Sequence, residues 1–227
     1  MEYRLSKLGI ELLSGMEAVI FDLDGTLVDS MWVWGAIDEA DFKRHGHEVP
    51  ETLQRDISGM SFTETAVYIK KTYPYFTESV EELKAIWSQM AFKAYQEDVP
   101  LKPGACEFLR YLHEKGIKTG VASSNHMDLV QASLTARGVR DYMDSVHTSC
   151  EVPHGKPEPD IYLLVAEDLQ IPPSQCLIFE DIPEGIMAGI HAGMRTCAVA
   201  DEASEALWQE KCRLAGYGIQ DYRELFI

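Results

Sequence analysis

A continuous apolar run, Ala18-Val19-Ile20-Phe21, leads straight into Asp22-Leu23-Asp24-Gly25-Thr26. A run this rich in Val, Ile and Phe reads as a strand buried on both faces, which calls for a parallel sheet with helices above and below it. Side chains two apart on a strand point to the same side. Asp22 and Asp24 can therefore face one ligand just past the strand's carboxyl end, the edge where ligands bind in open α/β sheets. Gly25 lets the backbone turn away there without a Cβ penalty. Two unneutralised carboxylates in such a place are costly unless a positive partner sits with them. A hard dication such as Mg²⁺ suits them, because it prefers oxygen ligands and takes only one or two carboxylates. A turn that merely caps the strand is the plainer alternative at this point.

After Ser30 the pattern switches to helix and stays there. Trp32, Val33, Trp34, Ile37, Ala40 and Phe42 mark a first helix ending near Gly46, and a short helix opens at Pro50. Ser61 with Glu64 forms a capping box that starts a third helix, and a fourth runs from about Glu78 to Tyr95. Residues 31–97 thus form a helical insertion, a cap, directly behind the first strand. From Pro100 onward strands and helices alternate: strands near 117–122, 145–148, 176–179 and 196–200, with a short one near Tyr217, separated by helices that stop at Gly116, Gly138 and Gly193. This alternation predicts a doubly wound parallel α/β sheet, with residues 16–30 and 98–227 as the core and residues 1–15 as an N-terminal extension.

The 227 residues suit one core plus an inserted lobe. Twenty basic against 37 acidic side chains leave a net charge of −17, which argues against nucleic acid and anionic membrane surfaces as partners. The five cysteines form no Cys-x-x-Cys pair, and reduced thiols in a cytoplasmic protein are expected. No apolar run approaches the about 18 residues of a membrane span, and the start does not read as a signal peptide. A monomer or weak homodimer is expected.

Polar groups gather in four loops at or near strand ends: Asp22 with Asp24, Ser123-Ser124-Asn125, Lys156 in Gly-Lys-Pro, and Glu180-Asp181. In a parallel sheet these ends share one edge, so the loops should converge there. Carboxylates, a lysine, hydroxyls, an amide and backbone N–H groups together suit a phosphoryl group and Mg²⁺. Taken singly, Ser123 could be a helix N-cap, Lys156 a solvated cation, and Glu180-Asp181 a favourable charge at a helix start.

Phe-Asp-Leu-Asp-Gly-Thr, Ala-Ser-Ser-Asn, Gly-Lys-Pro-Glu-Pro-Asp and Phe-Glu-Asp-Ile-Pro-Glu-Gly, in this order, resemble the four motifs of the haloacid dehalogenase-like hydrolase superfamily. The helical insert resembles the cap of its beta-phosphoglucomutase-like branch. The resemblance implies a Rossmann-like core and Mg²⁺ as cofactor, with Asp22 as the nucleophile that forms an aspartyl-phosphate. It further implies Asp24 as the general acid and base, with its backbone carbonyl on the metal. Ser123, with Ser124 and Asn125 nearby, would hold phosphoryl oxygens, and Lys156 would neutralise the phosphoryl group together with Asp22. Asp181, and Glu180 directly or through water, would hold the metal. Gly59, in Ser58-Gly59-Met60-Ser61, should face the site from the cap.

The activity so implied is a phosphatase of a small phosphorylated metabolite, with a sugar phosphomutase and a non-catalytic binding domain as alternatives. In the phosphomutases of this branch a histidine follows the first motif and an arginine follows the cap's Gly-x-Ser loop. Trp34 and Phe62 stand in those places here, which favours hydrolysis.

Overall fold

The computed structural model describes residues 3–227. Six strands, β1 (Ala18–Phe21), β2 (Lys118–Ser123), β3 (Ser145–Thr148), β4 (Cys176–Glu180), β5 (Arg195–Val199) and β6 (Gly218–Ile219), form one parallel sheet in the order β3-β2-β1-β4-β5-β6. The doubly wound sheet expected from the alternation is present. All of β1 is buried, as its unbroken apolar run requires for a central strand covered on both faces. From β1 the chain winds outward through β2 and β3, then returns to β4 on the other flank. The two halves part between β1 and β4, where such sheets open a ligand crevice.

Before the sheet lies α1 (Lys7–Leu13), and after β1 come the cap helices α2 (Met31–Arg44), α3 (Leu53–Ile57), α4 (Phe62–Thr72) and α5 (Val80–Glu97). The core helices are α6 (Ala105–Lys115), α7 (Met127–Ala136), α8 (Asp160–Leu169), α9 (Pro183–His191) and α10 (Trp208–Ala215). Strand alternation divides the packing between the two faces. Ala18 and Ile20 pack in one layer with Ile161 and Val165 of α8 and Ala188 of α9. Val19 and Phe21 pack in the other with Leu109 of α6 and Leu129 of α7. The Phe21 ring stacks on Phe179 of β4 at 5.6 Å and meets Phe108 of α6 edge-on at 6.1 Å.

The cap is all helix. Ser61 forms the expected capping box at α4, and Ser79 forms a second one at α5. The chain passes between lobes along a short antiparallel contact between Val28 and Leu101, with Asp29 N donating to Pro100 O at 2.9 Å and Lys102 N donating to Leu27 O at 2.9 Å. Lys102, itself buried, holds Asp201 of the core at 2.6 Å and reaches Asp29 of the linker at 3.6 Å.

The segment before the first strand, read as an N-terminal extension, packs on the core. Leu12 is fully buried, Ser6 N donates to Leu225 O, and Arg195 donates to the carbonyls of Glu11, Leu12 and Ser14 at the end of α1. Seven residues are too few for helical periodicity to be read from sequence; the docking depends on partners at the far end of the chain. No helix among the described residues is long and apolar enough to cross a membrane. All five cysteines are free, with Cys176 and Cys197 buried.

Candidate active site

The sheet register builds the site. Phe21 of β1 pairs with Phe179 of β4, so Asp22 and Glu180 emerge side by side at the point where the sheet reverses. Asp181 follows Glu180, and the three carboxylates offer oxygens within 4.8 Å of one another. Lys156, from the loop before α8, inserts between them with Nζ 2.6 Å from both Asp22 Oδ1 and Glu180 Oε1. Its ammonium also lies 5.2 Å from the centre of the Tyr162 ring.

The three carboxylates are not equivalent. Glu180 is fully buried and fully engaged: Lys156 and the Tyr162 hydroxyl (3.1 Å) donate to Oε1, and the backbone N–H groups of Asp181 and Ile182 donate to Oε2. Gly185 has to be glycine for this, because an added Cβ would stand 1.7 Å from Glu180 Oε1. Asp181 takes one hydrogen bond, from Thr26 Oγ1 to Oδ1 at 2.9 Å. Its other oxygen presses on Gly25, where φ is +79° and a Cβ would come within 2.5 Å of it. Among the described residues no donor reaches Asp22 Oδ2 or Asp181 Oδ2.

Burial pushes the Asp22 carboxyl up to about 7; the Lys156 ammonium pulls it back, while the charges of Glu180 and Asp24 push the same way as burial. Burial, then Glu180 and Asp22, push Asp181 well above the ordinary carboxylate range. Burial favours loss of the Lys156 proton, but the two carboxylates outweigh it and hold the ammonium charged. One buried cation among three buried carboxylates leaves the cluster short of positive charge. The residues fit a hard dication, since Asp22 and Asp181 each keep one oxygen without a donor and the cluster offers oxygens within 4.8 Å of one another. Asp22 and Asp181 would be its side-chain ligands, with Glu180, whose oxygens already accept from Lys156, Tyr162 and two backbone N–H groups, in the same cluster.

Asp24 stands outside this cluster. Its Oδ1 accepts from Ser30 Oγ at 2.5 Å and from the Tyr95 hydroxyl, and its Oδ2 accepts from Asn125 Nδ2 at 2.9 Å. Trp34 Nε1 donates in turn to the Tyr95 oxygen at 2.9 Å. The side chain of Asp24 is therefore no partner of a metal held by Asp22 and Asp181. Asn125, expected beside the phosphoryl group, spends its amide on Asp24 and Tyr95, and its carbonyl on His126 N. Ser123 is buried at the end of β2, where its Oγ accepts from Asn125 N at 3.0 Å; the N-cap of α7 is His126. Ser124 offers its carbonyl to Phe62 N of the cap at 2.8 Å.

The cap closes over this edge. Gly59 has φ +75°, and a Cβ there would stand 2.8 Å from Lys156 O and Glu184 Cβ. Ser58 Oγ donates to Glu184 Oε2 at 2.8 Å. A cavity of about 580 Å³ lies between the lobes, floored by Asp22, Asp24, Lys156 and Asp181 and walled by Trp34, Phe62 and Trp87. The sequence brought Asp22, Asp24, Lys156, Glu180 and Asp181 forward as candidates. It missed Tyr95 and Tyr162, whose only mark is a hydroxyl at an otherwise apolar helical position.

A family model of haloacid dehalogenase-like hydrolases matches residues 16–193. Validoxylamine A 7'-phosphate phosphatase of Streptomyces hygroscopicus subsp. limoneus is 31% identical over 78% of this chain and 83% of its own length. A phosphorylated carbohydrates phosphatase of Thermotoga maritima is 31% identical over 79% of this chain and 82% of its own. A crystal structure of beta-phosphoglucomutase from Clostridium difficile superposes with a TM-score of 0.77 at 22% identity, over 92% of this chain and 93% of that one, a likeness of fold. With its motifs, its cap and the extent of these matches, the chain belongs to the haloacid dehalogenase-like hydrolases and is a phosphoric monoester hydrolase.

Proposed function

We propose that the protein is a Mg²⁺-dependent phosphatase of a small phosphorylated metabolite, a sugar-like phosphate, acting through an aspartyl-phosphate on Asp22. The observation that carries this reading is Asp22 itself: one oxygen is tied to Lys156 and the other is free at the floor of a cavity closed by the cap. A carboxylate so held is a competent nucleophile towards phosphorus. One Asp22 oxygen would bond to phosphorus as the ester P–O bond breaks, the other staying with the cations that neutralise it, and the Asp24 carboxyl would hand its proton to the departing alkoxide. The Asp24 carboxylate would then take a proton from water as that water's oxygen attacks phosphorus, releasing inorganic phosphate and restoring Asp22. Lys156 neutralises Asp22 and the equatorial oxygens throughout, and Ser123 lies at the adjoining strand end for the same oxygens. The dication would supply charge neutralisation to the transferring group. The names of the two phosphatases above support the substrate class.

Hydrolysis is favoured over mutase chemistry by the cap wall. Trp34 and Phe62 meet edge-on at 5.8 Å and line the cavity, and neither can grip a second phosphate by charge. The test is hydrolysis of p-nitrophenyl phosphate with and without Mg²⁺, by the wild type and by Asp22→Asn. The expected outcome is Mg²⁺-dependent turnover, abolished by EDTA, that falls by about three orders of magnitude or more in the variant. Full activity in Asp22→Asn would end the nucleophile assignment. Supplying beta-glucose 1-phosphate with a bisphosphate primer should release phosphate; rapid isomerisation without release would establish a mutase.

A further inference from the structure

The part of the cavity that holds the leaving group carries a charge pattern of its own. Above the floor, the cavity-lining residues of the cap include Asp38, Asp41 and Arg55 among aromatic and aliphatic side chains. Asp41 is neutralised within the cap: Arg44 donates to Oδ1 at 2.6 Å and Trp87 Nε1 to Oδ2 at 2.6 Å. Arg55 also lines the cavity, but its side chain is 77% exposed and paired with Asp56 at 2.9 Å. Asp38 differs from both. It is half-buried in the wall, and its only hydrogen-bond donor among the described residues is Gln54 Nε2, on Oδ2 at 2.5 Å. Burial, reinforced by Asp41, pushes its carboxyl up to about 7. A half-buried carboxylate with one hydrogen bond and no ion pair among the described residues keeps an oxygen open to a further donor in the cavity.

Its position suits that role. Asp38 lies four residues beyond Trp34 on α2 and so on the same face, about 6 Å farther along the axis. Trp34 is wired through Tyr95 to Asp24, which places Asp38 about one helical turn above the level of the reacting bond. Glu184 adds a second negative group at the cap–core contact.

We infer that Asp38 selects the substrate: the leaving group is an uncharged or cationic polyhydroxylated body that presents a hydroxyl or ammonium donor to Asp38, and esters with a second anionic group are rejected. The inference rests on the phosphatase reading and names its substrate class. Trp34 and Phe62 would meet the apolar face of such a body while Asp38 and Gln54 read its polar edge, the mixture that small-molecule sites use for orientation. A carboxylate or second phosphate carried to that depth would face Asp38, while the cap cation lining the cavity, Arg55, is already paired with Asp56.

Binding to the Asp22→Asn protein with Mg²⁺, measured by calorimetry, separates this inference from turnover. The probes are glucose 6-phosphate, glucosamine 6-phosphate, which carries an ammonium in place of the C2 hydroxyl, and 6-phosphogluconate, which carries a carboxylate at C1. The expected order puts 6-phosphogluconate about 10- to 100-fold weaker than the other two, the worth of one hydrogen bond to a charged group. In Asp22→Asn/Asp38→Asn that gap should close, and in Asp22→Asn/Asp38→Lys it should reverse. Tighter binding of the amine than of the neutral sugar identifies an ammonium partner, and equal binding a hydroxyl; both support the inference. Equal or tighter binding of 6-phosphogluconate, a gap that persists in the Asp38 variants, or no binding of any probe overturns it. Separately, an absence of p-nitrophenyl phosphate hydrolysis by the wild type would overturn the phosphatase reading while the binding order still judges Asp38.

Discussion

At the scale of single residues, Asp38 is a place in the cap where the structure departs from what stability alone would choose. Its carboxyl is raised from the ordinary 3.8 to about 7, by burial first and by Asp41 second, while the Gln54 hydrogen bond opposes both. A folded state that holds a proton more tightly than the unfolded chain is favoured below the unfolded value and loses that advantage as pH rises through the folded one. Between about pH 4 and pH 7 the group therefore turns from harmless to destabilising, and the cost persists above that window. Asp38→Asn should match the wild type in melting temperature near pH 4 and exceed it at pH 8. Thermal denaturation at both pH values checks this, and a variant less stable than wild type at pH 8 would contradict it. Such a residue exchanges stability for a function at its site. The sequence does not single out Asp38, because nothing local says which polar group of that helix faces the cavity.

At the scale of elements, the two lobes meet through the packing of α5 on α7 and through specific contacts around the cavity. The loop between α3 and α4 carries some of the latter, since Gly59 abuts the Lys156 carbonyl and Glu184. Gly59→Ala adds a Cβ at φ +75° and at 2.8 Å from both, so the loop has to lift. Misplacement by about 1 Å at a reacting centre costs up to about 100-fold in rate. Accordingly kcat/KM should fall by about 10- to 100-fold, with little change in the stability of the core. Steady-state kinetics with p-nitrophenyl phosphate, beside thermal denaturation, tests this; unchanged kinetics would show that the loop is free to re-seat. Closure should swing about the linkers at Val28-Asp29 and Asp98-Pro100, where main-chain pairing and Lys102 keep the two strands of the hinge together.

At the scale of the whole molecule, a net charge of −17 opposes the approach of any dianionic ester. Repulsion between like charges is screened over a Debye length of about 10 Å at 0.1 M salt. For subsaturating substrate at constant Mg²⁺, kcat/KM should therefore rise about two- to threefold between about 0.02 and about 0.15 M NaCl. Initial rates across that range decide it, and a steep fall with salt would mean that a positive surface steers the substrate in. The compensating cation at the site is Lys156, buried between Asp22 and Glu180, which acts at contact and not at range.

The order of elements, the helical insertion behind β1 and the four polar loops were legible because each is written locally. Unbroken apolar runs mark buried strands, helical spacing marks the cap, and glycines and capping boxes mark the ends. Convergence of the loops followed from the rule that parallel strands share a carboxyl edge. What only the tertiary structure decided depends on partners far apart in the chain. Tyr95 meets Asp24 across 71 residues and Asn125 meets it across 101, so the setting of the proton-carrying group is assembled by the cap and the core together. Glu180 is saturated by Lys156, 24 residues away, and by Tyr162, which leaves Asp22 and Asp181 as the open carboxylates. Periodicity records which face of an element is apolar; which polar group that face finally meets is settled only when the two lobes pack.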